Sequence, residues 1–425
     1  MCPVLRRPQP VPGTGGVGPL ILATPDALRP LRQQVFERIR ASGTLPRVQV
    51  AKELGVSPAS VTGVVSDLIE AGLIEEVALP RAEGDAGRGR PPVALGVRPA
   101  AHRVAGIKLS DRELTGVIVD FAGGLVAREA EPVMPGMRPL AEVLAMTARL
   151  LDRMCAAGGI ARGALSALGL GVPGFVEAGG RVIWSPVLRD RDVDLGAAAG
   201  AHLGLPVHVD NDANLVALAE LWFGAGRGLA DFAVVTIEHG VGMGLVVNHR
   251  LFRGARGLGT ELGHTKVQLD GALCRCGQRG CLEAYVADYA LAREAVTALD
   301  GVHRDGQAQA VLLESLFDHA KAGNEAARSI FRRAGRYLAV GLANVMNLFD
   351  PSLIILSGER MRYDYLYADE AMAEMARMIV APDRPPPRIE VHAWGDLLWA
   401  WGAAALALSE VTEGVLRAPR AGAAA

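Results

Sequence analysis

Glu261-Leu-Gly-His264, followed by Cys274-Arg-Cys276-Gly-Gln-Arg-Gly-Cys281-Leu-Glu283, carries the most specific chemistry in this chain. Three thiols in a C-x-C-x4-C spacing, with a His ten residues before the first, can complete a tetrahedral Cys3His zinc site. Gly277 and Gly280 allow the tight turns that such a knuckle needs. With four protein ligands no coordination position is left open, so Zn2+ bound here is structural and activates no water. A loop held this way projects Glu261, the second ring nitrogen of His264, and Glu283 toward a cleft. The bland alternative is a set of buried free cysteines, a liability for three clustered thiols. Cys2 and Cys155 stand apart, so no disulfide scaffold forms, and the expected compartment is the reducing cytoplasm.

Upstream lies Val209-Asp210-Asn211-Asp212-Ala213-Asn214, between a short strand from about Val207 and an Ala/Leu-rich helix. Asn211 and Asp212 at a strand's carboxyl end can bind vicinal hydroxyls, and an Asp there can act as general base. The same residues also make ordinary helix caps. From about Ala101 onward, strand-like and helical patterns alternate as in an α/β protein. His102 to Leu109 with Leu114 to Phe121, and Phe232 to Ile237 with Gly244 to Leu251, form two hairpins, each followed by further β and α segments. Two lobes of related design with a ligand cleft between them are expected.

Residues 29–98 read as three helices and a hairpin. The helices run from about Pro30 to Ala41, Arg47 to Leu54 and Pro58 to Glu70, with Ser57 as N-cap of the third. Val61, Val64, Val65 and Leu68 make its core face, while Ala59, Ser60, Thr62, Gly63 and Ser66 form a small, hydroxyl-rich opposite face. This is the helix-turn-helix pattern. Two short strands follow, Leu73 to Leu79 and Pro92 to Val97, and the Gly/Pro-rich segment between them carries Arg88 and Arg90. Those arginines form a basic wing able to reach phosphates or a minor groove. The recognition helix lacks Arg and Asn for bidentate base contacts, so affinity is expected mainly from the wing, with Ser57, Ser60, Thr62 and Ser66 adding hydroxyl contacts.

At 425 residues the chain is too long for one ordinary domain. Half of it is hydrophobic, which excludes a disordered or collagen-like protein. The longest apolar run, Leu397 to Ser409, is too short to span a membrane and reads as a buried helix. Residues 1–28, broken by Pro and Gly, read as a flexible leader rather than a secretory signal, and 416–425 as a flexible tail. Residues 1–98 hold 12 Lys+Arg against 9 Asp+Glu, net +3, and the remainder holds 32 against 37, net −5. A basic module is joined to an acidic body.

On these motifs the chain resembles the bacterial ROK family of sugar kinases and sugar-responsive transcriptional repressors. Gly169-Leu-Gly-Val-Pro173-Gly174, the Asn211-Asp212 segment, Gly240-Val-Gly-Met-Gly244, Glu261-Leu-Gly-His264 and the cysteine cluster occur in the family's order. The resemblance implies an α/β fold: a winged helix-turn-helix followed, over 101–415, by a two-lobed actin/hexokinase-like (ribonuclease H-like) domain. It implies zinc on His264, Cys274, Cys276 and Cys281, and sugar contacts from Asn211, Asp212, Glu261, His264 and Glu283, with Gly174 lining the pocket. In the family's kinases the position of Asp212 is the catalytic base. Their first phosphate loop reads approximately Asp-x-Gly-Gly-Thr, where this chain has Lys108-Leu-Ser-Asp-Arg112, and Glu238 and His239 replace the small residues before the second loop. With both glycines lost, backbone amides no longer approach a triphosphate easily, and Asp111 adds repulsion. The expectation is therefore a repressor, not an enzyme, with a double-stranded DNA operator, a sugar or sugar phosphate effector, and a homodimeric or homotetrameric state.

Overall fold

The computed structural model describes residues 15–21, 29–78, 93–299, 309–358, 369–380, 388–392, 395 and 397–417. Arg88 and Arg90 of the expected wing lie outside the described residues, as do most of the leader and the tail.

The amino-terminal unit contains α1 (Leu31–Ser42), β1 (Thr44–Leu45), α2 (Arg47–Leu54), α3 (Pro58–Glu70), β2 (Ile74–Ala78) and β3 (Val93–Val97). Gly55 stands at φ 65°, and this left-handed residue turns the chain from α2 toward α3. Ser57 accepts a hydrogen bond from Ser60 N and Pro58 opens α3, so the cap works as its sequence implies. Val61, Val65 and Leu68 pack with Val35, Phe36, Ile39 and Val50. The strands form a small antiparallel sheet in the order β1-β3-β2. Strand β1 has two residues, too few to show any alternation in sequence.

The first lobe comprises β4 (Arg103–Lys108), β5 (Glu113–Asp120), β6 (Leu125–Pro132), α4 (Leu140–Ala157) and β7 (Ala167–Val172). It continues with β8 (Phe175–Val176), β9 (Arg181–Trp184), β10 (Val193–Asp194), α5 (Leu195–Leu203), β11 (Val207–Asn211) and α6 (Asp212–Phe223). The second lobe comprises β12 (Phe232–Ile237), β13 (Val241–Val247), β14 (Arg250–Phe252), α7 (Glu283–Val286), α8 (Asp288–Ala298) and α9 (Gln309–Lys321). Then come α10 (Glu325–Phe349), β15 (Leu353–Ser357), α11 (Asp369–Met378), β16 (Arg388–His392) and α12 (Leu398–Arg417).

The two main sheets are wired alike. From the meander edge their orders are β6-β5-β4-β7-β11 and β14-β13-β12-β15-β16. Each has three antiparallel strands followed by two added in parallel. The second strand of the later hairpin begins at Val241 rather than Gly244, because Gly242 and Gly244 belong to the strand. A Cβ on Gly244 would lie 2.6 Å from Ala213 O, so the glycine admits α6 against the sheet.

Helix α12 is the buried helix expected near the end of the chain, and it runs on to Arg417. The residues read as a tail therefore start inside a helix. A Cβ on Gly106 would lie 2.2 Å from Ala400 O and one on Gly169 1.8 Å from Ala403 O, so α12 rests on the backbone of β4 and β7.

No gap separates the amino-terminal unit from the body. A single apolar cluster contains Phe36, Ile39, Phe121, Trp222, Leu406 and Leu416, and the Phe36 and Phe121 rings lie 5.2 Å apart. Arg227 donates to Gly18 O (3.1 Å) and Ala41 O (2.6 Å), and Arg32 donates to Leu416 O (3.2 Å). The flexible-leader reading fails for residues 15–21. Val17 N, Gly18 N and Leu20 N donate to Arg40 O, Trp222 O and Arg227 O, so this strip is pinned in the seam by its own backbone. Among the described residues no helix is long and apolar enough to cross a membrane.

Candidate functional site

The carboxyl ends of the parallel strands β4, β7 and β11 deliver Lys108, Pro173-Gly174 and Asn211-Asp212 to one end of the first lobe. In open α/β sheets this end is where ligands bind. Gly174 stands at φ 117°, and a Cβ there would lie 2.2 Å from Trp184 O. Only glycine fits this turn. Beside it the Phe175 ring lies 5.8 Å from Trp184 and 5.9 Å from His264, forming an aromatic wall.

The cap reading and the binding reading of the Asp-Asn segment both apply. Asn211 Oδ1 accepts from Asn214 N at 2.8 Å, which caps α6 and leaves its amide NH2 for other partners. Asp210 is 4% exposed and ties the segment down: it accepts from Asn211 N, Asn214 Nδ2 and Arg253 Nε at 2.8, 2.7 and 2.8 Å. The Arg253 pair joins the first lobe to the second.

Burial raises the Asp212 carboxyl above the ordinary Asp range, opposed by Lys108, the Ala213 N–H and His239. Burial pushes Glu261 up to about 7, helped by the charges of Asp212 and Glu283. These carboxyls therefore share one electrostatic environment. A carboxyl near half protonation can donate as well as accept, which suits a polyhydroxylated ligand. Glu283 is 9% exposed and already engaged. It accepts from Val241 N at 3.3 Å and lies 3.5 Å from Cys274 Sγ and 3.4 Å from Tyr289 Oη. Its place is the tie between the cysteine loop and β13.

His264, Cys274, Cys276 and Cys281 hold their ligand atoms within 4.8 Å of one another. Cys276 Sγ to Cys281 Sγ and Cys274 Sγ to His264 Nδ1 are both 3.7 Å. A zinc tetrahedron with Zn–S bonds of about 2.3 Å has edges of about 3.8 Å, so the donor set fits zinc. Gly277 and Gly280 take φ 86° and 76°, the turns expected of the knuckle. His264 Nδ1 faces the sulfurs, which leaves Nε2 as the second ring nitrogen.

Three features of the cleft were not anticipated in the sequence. Lys108 Nζ lies 3.6 Å from the Trp399 ring centroid while acting on Asp212, so a cation occupies the end of β4. Ser110 Oγ accepts from Arg112 N (3.2 Å) and Glu113 N (3.1 Å), and Leu109 N donates to Gly171 O (2.8 Å). Three of the amides around this loop, at Leu109, Arg112 and Glu113, are thus already engaged. His239 lies 3.6 Å from Asp288, whose N–H donates to Glu238 O, so the second loop is pinned to α8.

In the amino-terminal unit, Ser57, Ser60, Thr62 and Ser66 are all exposed on one side of α3. Thr62 and Ser66 donate to Pro58 O and Thr62 O, and Ser57 and Ser60 share a 2.8 Å contact. Nothing lies within 4 Å of a Cβ on Gly63, so internal packing does not require a glycine there.

The profile of the ROK family matches residues 107–410. A putative xylose repressor from Caldicellulosiruptor sp. (strain Rt8B.4) is 26% identical over 387 residues, covering 89% of this chain and 95% of that protein. Among solved structures, a ROK family transcriptional regulator, homologue of the E. coli MLC protein, superposes with TM-score 0.75 at 24% identity over 91% of this chain and 96% of its own. At that identity the likeness concerns the fold. A ROK hexokinase from Thermus thermophilus superposes with TM-score 0.62 at 29% identity, covering 73% of this chain and all of its own.

Proposed function

From the premise that this chain belongs to the ROK family, we propose that it is a DNA-binding transcriptional regulator, acting as a repressor of carbohydrate-metabolism genes. A sugar or sugar phosphate bound between the lobes controls it. The observation that carries this reading is helix α6. Its first residue, Asp212, lies in the cleft, and near its other end the Trp222 ring lies 4.3 Å from the Arg40 guanidinium carbon of α1. A 12-residue helix is about 18 Å long, and this one spans from cleft to helix-turn-helix unit as one rigid body. A ligand that tilts α6 tilts α1 with it. Such a switch needs the ligand to favour one lobe arrangement by only a few kcal/mol.

Coverage of the relatives supports the regulator class. The regulator fold spans 91% of this chain, whereas the hexokinase spans 73%. The related putative xylose repressor supports a sugar as effector. The exposed hydroxyl face of α3 supports contact with the major groove of an operator, with Arg88 and Arg90 on the phosphates. Asn211, Asp212, Glu261, His264 Nε2 and the backbone at Gly174 hold the sugar, and Glu283 braces the zinc loop behind them. Zinc on His264, Cys274, Cys276 and Cys281 fixes the His264 ring. A symmetric dimer presents two helix-turn-helix units to a palindromic site.

The alternative is a sugar kinase with Asp212 as base. The occupied amides at Leu109, Arg112 and Glu113 and the Lys108 ammonium at the strand end argue against a nucleotide there. A gel shift with the DNA upstream of the protein's own gene, repeated over a panel of sugars and sugar phosphates, tests the proposal. Operator release by one sugar is expected; equal binding with every sugar refutes sugar control. Sugar-dependent ADP production in a coupled assay would establish the kinase.

A further inference from the structure

Zn2+ held by three thiolates and a neutral imidazole keeps one net negative charge, which the surrounding protein has to answer. Two of the three sulfurs are hidden from water: Cys281 is 0% and Cys274 2% exposed, whereas Cys276 is exposed. An anionic sulfur cut off from solvent needs a hydrogen-bond donor from the protein.

Both buried sulfurs have one. Tyr289 Oη, a neutral donor, lies 3.5 Å from Cys274 Sγ and 3.4 Å from Glu283 Oε1. Lys266 Nζ donates to Cys281 Sγ at 3.0 Å and to His264 O at 3.0 Å. The backbone puts the lysine there. Lys266 faces Cys281 in an antiparallel bridge, with Val267 N donating to Gly280 O at 2.9 Å and Leu282 N to Thr265 O at 3.0 Å. Residues directly opposite in such a pair have Cβ atoms about 5 Å apart, so a long side chain can fold back onto the facing sulfur.

The other basic side chains between His264 and Cys281 turn elsewhere. The Arg275 guanidinium carbon lies 4.1 Å from the Tyr289 ring centroid, and Arg279 Nη1 donates to Gly271 O at 3.1 Å. Glu283 Oε1 lies 3.5 Å from Cys274 Sγ, so beside a thiolate it adds negative charge. Lys266 brings the opposing charge to the sulfurs. An ion pair between two exposed, flexible side chains contributes little. Here the acceptor is buried and fixed by its loop, and only the lysine has to be ordered.

We propose that Lys266 is a positioning residue of the zinc site: its ammonium caps the buried Cys281 thiolate and ties it to the His264 carbonyl, joining two ligands that lie 17 residues apart in the chain. This rests on the zinc reading of His264, Cys274, Cys276 and Cys281.

The test uses the full-length chain loaded with Co2+ in place of Zn2+, whose thiolate-to-cobalt charge-transfer band reports the electron density on sulfur. Removing a hydrogen bond from a thiolate raises that density and moves the band to longer wavelength. Lys266→Met should show this shift, and competition with a chromophoric chelator should show zinc held about tenfold more weakly. Lys266→Arg keeps the charge and the donor and should restore most of both. A Lys266→Met band at the wild-type wavelength overturns the proposal, as does unchanged zinc affinity. So does a Lys266→Arg chain that behaves like Lys266→Met, because the lysine stem and not its charge would then be what counts. A wild-type chain that takes up neither metal refutes the zinc reading itself, and this proposal with it; a metal-loaded wild type with an indifferent Lys266→Met refutes this proposal alone.

Discussion

Replacing Asp212 by Asn should move ligand affinity and stability in different directions. The side chain keeps its shape and loses its charge. In the wild type, burial raises the carboxyl pKa despite Lys108 and His239 nearby. The folded protein therefore holds this proton more tightly than the unfolded chain does, and stability falls as pH rises from the unfolded value through the folded one. Above the folded value the full cost of the buried charge is present. Asn removes it, while Lys108 keeps its place 3.6 Å from the Trp399 ring centroid. The thermal midpoint of Asp212→Asn at neutral pH should equal or exceed that of the wild type. Sugar affinity should fall, because a hydrogen bond to a charged group contributes about 1.5 to 3 kcal/mol. That corresponds to roughly 10- to 150-fold weaker binding. Calorimetric titration with the sugar that releases the operator, alongside thermal melts, reads both quantities. The variant should need correspondingly more sugar to leave its operator. Unchanged sugar affinity refutes the contact, and a lower midpoint together with weaker binding makes Asp212 a structural residue instead.

Removing zinc by dialysis against a chelator should lower the thermal midpoint and weaken sugar binding at least about tenfold, since His264 faces both metal and cleft; intact sugar binding in metal-free protein, checked by metal analysis, contradicts this. Burial alone would lower His392, but Glu220 and Glu390, at 2.6 and 3.0 Å, outweigh it and raise its pKa above 6.5. This contribution is complete below about pH 6.5 and is lost as pH rises through the higher folded value, so the midpoint should fall above neutrality and His392→Gln should flatten that decline. Phe36 is fully buried against Phe121, and Phe36→Ala should cost about 3 to 5 kcal/mol. Calorimetry should then show the single melt of the wild type splitting in two; two transitions already present in the wild type would deny the shared core.

Local signals in the sequence carried a large part of this structure. Ser57-Pro58 starts α3 through backbone chemistry that four residues contain, and the thiol spacing brings Cys274, Cys276 and Cys281 together with no knowledge of the fold. The cleft was legible where strand ends deliver residues in chain order, as at Asn211 and Asp212. Contacts between distant segments were not. Lys108 meets Trp399 across almost 300 residues, and no local pattern encodes that. Gly242 falls outside the strand that the sequence starts at Gly244, because the helix it admits, α6, is invisible from its own neighbours. Residues 15–21 looked flexible because Pro and Gly suit a linker, yet the same composition lets a strip lie flat in a seam and bond through its amides.

Helix α12 gives the order of synthesis a consequence. The amino-terminal unit leaves the ribosome first, yet its core includes Leu406 and Leu416, Arg32 donates to Leu416 O, and Arg40 donates to Thr412. The first lobe waits too, since β4 and β7 expose Gly106 and Gly169 until α12 covers them. Domains emerging in sequence usually fold as they appear. Here the earliest part is completed by the latest, so a chain stalled before residue 398 would carry every residue of its helix-turn-helix and still lack the surface that holds it in place.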